Sequence, residues 1–338
     1  MDLQTTWFVL IGVLIAGYAI LDGFDLGVGV LSLFGRSDEE RRLHLNAIGP
    51  VWDGNEVWLL TGGGALFAAF PAVYATVFSA FYLPFILLLA FLILRAVSLE
   101  FRSRVENPAW RRFWDGSFGI GSLVPSLLYG VAVGNVLRGI PLDREGAFTG
   151  TFVSLLNPYA LLVGLVSLAM FLAHGAIYMA LKSGGELCER MRKAALWLFV
   201  AWVALYAVAT ASTLRVAPHL IEGARARALF WPAVALLLAG LALVPVFLAA
   251  KRFLLALLSS SAAIGAMVAL AGLGLLPRLV PSSIDLGHSL TIYNASSTPR
   301  TLTVMLVIAL VGMPVVIAYT VFIYRVFKGK VALSKESY

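Results

Sequence analysis

The chain has 338 residues, 60% of them apolar and only 13% charged, with a mean hydropathy of +0.91. Soluble proteins carry about 25% charged residues, so a water-soluble fold is excluded: lipid must contact most of the outer surface. The formal net charge of +7 comes from Lys and Arg in short runs between apolar stretches, not interleaved with aromatics on one solvent face, which argues for membrane lipid and against a nucleic-acid partner.

A membrane-crossing helix needs roughly 20 predominantly apolar residues. Such runs predict an all-α, polytopic chain with nine of them, at about 7–33, 52–70, 76–98, 117–137, 155–180, 194–214, 229–250, 255–277 and 303–327. No soluble domain interrupts the series, so residues 1–338 read as a single integral-membrane domain. The first run contains Asp22 and Asp25, which a cleavable leader would not tolerate, and it is expected to stay as the first helix. Its two carboxylates are three residues apart and share one helical face. At 1.5 Å per residue, Asp25 lies about 12 Å inside the end of that run.

The second run opens on Trp52-Asp53-Gly54-Asn55-Glu56-Val57-Trp58 and contains Gly62, Gly63 and Gly64, so hydropathy alone could make it a loop. The charge pattern decides for a span. With nine spans, one side of the membrane holds 17 Lys and Arg and the other 7; without the second run the division is 14 against 10. The positive-inside rule then puts the N-terminus outside and the C-terminus in the cytoplasm. Arg95 is left over, inside the third run.

Ionisable groups at membrane depth cost at least ~2.5 kcal/mol each, so each one requires a reason. Asp53 has a modest one, as a carboxylate at a helix N-terminus. It has a functional one as well, as a proton-conducting acid. Asp22, Asp25, Asp53 and Glu56 all fall in the cytoplasmic half of the first two spans, and the other apolar runs carry no carboxylate. A proton path from the cytoplasm has this appearance; so does the H+ or Na+ site of a secondary transporter.

Of four histidines only His174 falls within a span, so one haem at most could be ligated here, and a side chain hydrogen-bonded between helices is the simpler reading. The single cysteine, Cys188, excludes an internal disulfide and a Cys-based metal cluster. The long connection 278–302 carries Pro281 and Pro299 and is expected to be irregular, with Asn294-Ala295-Ser296 as turn chemistry. Trp7, Trp52, Trp58, Trp110, Trp114, Trp197 and Trp231 fit an aromatic belt. Gly23, Gly27, Gly29 and Gly62 to Gly64 suggest close helix packing.

Leu21-Asp22-Gly23-Phe24-Asp25-Leu26-Gly27-Val28-Gly29 resembles the first-helix motif of subunit II of cytochrome bd quinol oxidases. Gly49-Pro50-Val51-Trp52-Asp53-Gly54-Asn55-Glu56-Val57-Trp58-Leu59 resembles that family's second-helix signature. Further similar stretches are 134–141, Leu156-Asn157-Pro158-Tyr159, Val280-Pro281-Ser282-Ser283 and 289–291, and the likeness runs from about Asp2 to Phe327.

The resemblance implies two four-helix bundles plus a peripheral helix, in the bacterial inner membrane. It also implies a partner, subunit I, carrying haems b558, b595 and d and the quinol site, and a small single-helix subunit beside them. No cofactor or metal is expected in this chain. The assembled enzyme would oxidise quinol and reduce O2 to water. Asp53 and Asp25 match the family's carboxylates on a proton route to haem d, Trp58 a tryptophan at the mouth of an O2 path, and Asp22 and Glu56 supporting groups. A transporter using the same acids, or a purely structural assembly subunit, remain the alternatives.

Overall fold

The computed structural model describes residues 2–333 and is predominantly helical. Its helices are α1 (Leu3–Ser32), α2 (Asp38–Ile48), α3 (Trp52–Ala69), α4 (Pro71–Ala80), α5 (Tyr82–Phe101), α6 (Pro108–Arg138), α7 (Pro158–Lys182), α8 (Gly185–Val216), α9 (Pro218–Arg225), α10 (Phe230–Ala249), α11 (Phe253–Leu275) and α12 (Pro299–Val326). Among the described residues, eight helices are long and apolar enough to cross a membrane: α1, α5, α6, α7, α8, α10, α11 and α12. The predicted second span does form a helix, α3, but Asp53, Asn55 and Glu56 leave it too polar to join that set.

The third predicted run is broken. It starts later than expected, as α5, because the chain bends at Phe81 between α4 and α5. Pro84 explains the bend: it has no N–H for the carbonyl of Ala80, and its ring crowds that carbonyl. The connection expected at 34–51 contains the amphipathic helix α2, whose N-terminus follows from its own residues. Ser37 accepts from the Glu40 N–H, and Glu40 accepts in return from the Arg36 N–H at 2.7 Å.

α1 is the central element, packing against α3, α6, α7, α11 and α12. The approach to α7 is backbone on backbone: a Cβ on Gly27 would sit 1.9 Å from the Phe171 carbonyl oxygen. Gly23 and Gly29 instead make room for side chains, the Phe171 ring of α7 and Ser122 of α6. At Gly63 and Gly64 a Cβ would meet nothing within 4 Å, because that side of α3 faces no other helix among the described residues. Trp7 is also not a belt residue. It is buried, and its indole N–H donates to the Leu302 carbonyl at 2.9 Å, tying α1 to α12. Trp197 and Trp231 are exposed, as a belt requires.

At the end away from α2, the connection 278–302 is more ordered than its prolines suggested. Strands β1 (Arg278–Val280) and β2 (Leu290–Thr291) pair, and the segment between them docks on the connection after α6. Ile140 donates its N–H to Pro281 and accepts from Ser283, at 3.1 and 2.9 Å, and Ser282 donates to Leu142. Gly139 makes this possible with a φ of 88°. Asn135 and Asn157 join by a 2.9 Å hydrogen bond, and Asn157 also caps α7. Asn294 makes the expected turn, accepting from the Thr291 N–H. All four of the further stretches singled out in the sequence thus build one cap at this end.

At the α2 end, charges bind the helices together. The buried Arg102 donates to Asp115 and to Asp38, each at 2.6 Å, and Arg190 of α8 holds Glu40 of α2. Within α2, His44 is fully buried. Its Nδ1 lies 2.7 Å from the Glu40 carbonyl, and burial pushes its pKa below the ordinary value. The folded state therefore keeps His44 neutral. Its contribution is complete above the unfolded value of about 6.5 and is lost as pH falls from there towards the folded value, because the unfolded chain takes up the proton first. The thermal midpoint of the purified assembly should drop less between pH 7.5 and 5 in a His44→Gln variant than in the parent; equal drops would remove His44 from that loss.

Candidate functional site

The four predicted acids do not form one cluster. Asp22 and Asp25 project from α1 and are both fully buried. Glu56, in the first turns of α3, comes up beside Asp22 because α3 packs along α1. Between them lies Arg95 from α5, itself fully buried, which donates one N–H to Asp22 at 2.8 Å and another to Glu56. One guanidinium thus holds two carboxylates, as its planar fork allows.

Asp25 stands apart from that pairing. Its Oδ2 accepts from the Asn55 amide at 2.7 Å, and Oδ1 is buried with no hydrogen-bond partner among the described residues. Asn55 is nearly fully buried, accepts at its own oxygen from the Tyr324 hydroxyl of α12 at 3.1 Å, and so links three helices. Two turns back along α1 from Asp25, Tyr18 donates to Tyr129 of α6 at 2.8 Å.

Asp53 is elsewhere. It lies in the first turn of α3, exposed on a side of that helix left uncovered among the described residues, along with Val57 and Leu60. Trp58 is half-buried with its ring laid on Gly17, where a Cβ would come within 2.3 Å of it. Of the sequence-derived site residues, the fold brings Asp22, Glu56 and Asp25 together and leaves Asp53 and Trp58 on the flank.

Sequence reasoning missed Arg95, Asn55 and Tyr324. Arg95 carried a usable signal, a lone basic residue inside an apolar run. Tyr324 carried none, since its role depends on where α12 crosses α3.

His174 can be tested as a haem ligand from its donor set. The Ile20 carbonyl can only accept, so Nε2 carries the proton and donates to it at 3.0 Å; Nδ1 then accepts from the Ser260 hydroxyl at 2.7 Å. Both ring nitrogens face polar partners on neighbouring helices, which fits a side chain hydrogen-bonded between helices.

The fold and site together define a multi-span helical membrane protein with a buried acid–arginine pairing and one separate buried carboxylate. A sequence model of the family described as cytochrome bd terminal oxidase subunit II matches residues 3–327. The chain belongs to that family. It is 37% identical to cytochrome bd-I ubiquinol oxidase subunit 2 of Escherichia coli (strain K12), covering 97% of this chain and 95% of that one. It is 36% identical to cytochrome bd ubiquinol oxidase subunit 2 of Bacillus subtilis (strain 168), over 98% and 97% of the two chains. The fold matches a chain of the bd oxidase structure from Geobacillus thermodenitrificans with a TM-score of 0.81 and 17% identity, covering 97% and 99% of the two chains.

Proposed function

We propose that this subunit carries protons from the cytoplasm towards the oxygen-reducing centre of a quinol oxidase whose redox groups all belong to its partner. The partner is a similarly folded subunit I bearing haems b558, b595 and d and the quinol site, with a small single-helix subunit beside the pair. In this reading α3 is a ninth span, with Asn55 and Glu56 of its first turns held against α1, α12 and α5 and Asp53 on its open side. The nine form two four-helix bundles, α1, α3, α5, α6 and α7, α8, α10, α11, with the lipid-exposed α12 at the periphery. The N-terminus is outside, and the α2 end lies in the cytoplasm of a bacterial inner membrane.

The observation that carries the proton role is the contrast between Asp25 and its neighbours. Arg95 holds both Asp22 and Glu56 in a structural pairing, whereas Asp25 is buried, has no cation partner among the described residues, and is hydrogen-bonded at one oxygen only. Such a carboxylate can take and release a proton, and acids facing a bundle interior recur in proton relays. Asp53, at the exposed first turn of α3, sits where a subunit I surface could receive the proton. Trp58 and the apolar Val57 and Leu60 suit a lateral path for O2, which partitions into lipid.

The second reading is an H+- or Na+-coupled transporter. Arg95 weighs against its Na+ form, since a guanidinium wedged between two of the acids opposes a second cation there. In the assembled oxidase, Asp25→Asn and Asp53→Asn should each slow O2 reduction per haem d by about tenfold or more, with haem content unchanged. Parent-like turnover in both variants would remove this subunit from the proton route.

A further inference from the structure

At the α2 end a cleft of about 290 Å³ opens between α2, α7 and the chain leaving α12. Its walls include Lys182, Lys328 and Lys330, and Tyr178 and Tyr324 also line it. The residues after α12 form one wall because they are tied down: Lys182 donates its ammonium to the Phe327 carbonyl at 2.6 Å and accepts at its own carbonyl from the Val331 N–H at 2.8 Å.

Both tyrosines adjoin Asp25. Tyr178 stacks on Phe24, the residue before Asp25, with ring centroids 4.0 Å apart, and its hydroxyl is fixed on the Ala47 carbonyl at 2.9 Å. Tyr324 reaches Asp25 through Asn55, by successive hydrogen bonds of 3.1 and 2.7 Å. Two polar side chains in series, Tyr324 and Asn55, therefore link a solvent-open cleft to a carboxylate that is itself fully buried.

We infer that this cleft is the cytoplasmic inlet to Asp25, with Tyr324 as a positioning residue that acts through Asn55. This rests on the proton-carrying reading above and adds where the proton enters. Asn55 has no proton to relay at ordinary pH, so its task is geometric. Tyr324 holds the carboxamide by its oxygen, the carboxamide N–H then fixes Asp25 Oδ2, and Oδ1 is left as the basic site. A hydronium ion arriving from the cleft gives its proton to Oδ1, leaving neutral water and a neutral carboxylic acid. Without the Tyr324 hydroxyl the carboxamide can turn over and present its oxygen to Asp25, which would repel the charged form and disfavour the proton-accepting geometry.

The test uses the complete purified oxidase, fully reduced and mixed with O2, with proton uptake followed by a pH-sensitive dye in H2O and D2O. Three proteins are compared with the parent: Tyr324→Phe, Asp25→Asn, and a Cys188→Ser, Val331→Cys double variant before and after reaction with a bulky maleimide. Haem d content and thermal midpoint report folding. Tyr324→Phe and the maleimide block should each slow proton uptake severalfold and raise its solvent isotope effect, at parental haem content. If Asp25→Asn slows uptake while Tyr324→Phe and the blocked cleft behave as the parent, the inlet lies elsewhere and this inference fails alone. If Asp25→Asn is also unaffected, the proton-carrying reading itself fails.

Discussion

Replacing Arg95 with glutamine should destabilise the chain by about 3–5 kcal/mol, the usual consequence of removing one partner from a buried ion pair. The guanidinium and the Asp22 carboxyl are fully buried and Glu56 is a quarter exposed, so the variant would leave two acids side by side with little water to solvate them. Arg95→Lys should recover only part of the loss, because a point charge cannot span both carboxylates as the fork does. The triple variant Asp22→Asn, Glu56→Gln, Arg95→Gln should recover most of it, since neutral groups of similar shape can hydrogen-bond without a desolvated charge. The measurements are the yield of assembled oxidase and its thermal midpoint. A parental midpoint in Arg95→Gln would show that the pairing contributes nothing to the fold. The same series separates roles: if the triple variant turns over like the parent, Asp22 and Glu56 support helix packing and Asp25 conducts without them.

How far the sequence reached can be judged from these residues. The apolar runs were legible because lipid demands length and apolarity of each helix on its own, without help from neighbours. The Asp22–Asp25 face was legible because residues three apart on a helix share a side. Arg95 was readable as an anomaly, but not as the partner of Asp22 and Glu56, since those contacts join α5 to helices far away in sequence. Helix α2 has its start signal in Ser37 and Glu40, but its low apolarity sets it apart from the lipid-crossing runs. Trp7 misled because an indole near a helix start suits a membrane interface and a buried helix contact equally well. Asp53 and Asp25 looked alike as charged residues in apolar company; only packing sets one on an open flank and the other in the core beside Asn55.

The second large effect concerns Gly27. A methyl group there would lie 1.9 Å from the Phe171 carbonyl oxygen and 2.7 Å from its carbon, and the reciprocal group on Gly175 would lie 2.6 Å from Gly27. These neighbours are main chain, which cannot swing aside as a side chain can, so α1 and α7 would have to move apart. Overpacking typically costs about 1–3 kcal/mol and occasionally more; two facing backbones put Gly27→Ala at the upper end and Gly27→Val beyond it. Because α1 carries Asp22 and Asp25, its displacement would also pull Asp25 away from Asn55. Gly27→Ala should therefore lower both the thermal midpoint and turnover per haem d, and Gly27→Val should prevent accumulation of the oxidase. Gly64→Ala is the matched control. A Cβ there meets nothing within 4 Å in this chain, and the helix gains about 1 kcal/mol in propensity. A Gly64→Ala chain that folds alone yet fails to join subunit I would mean that the partner's backbone approaches α3 as closely as α7 approaches α1, whereas a parental midpoint in Gly27→Ala would mean that the contact between α1 and α7 is looser than its geometry requires.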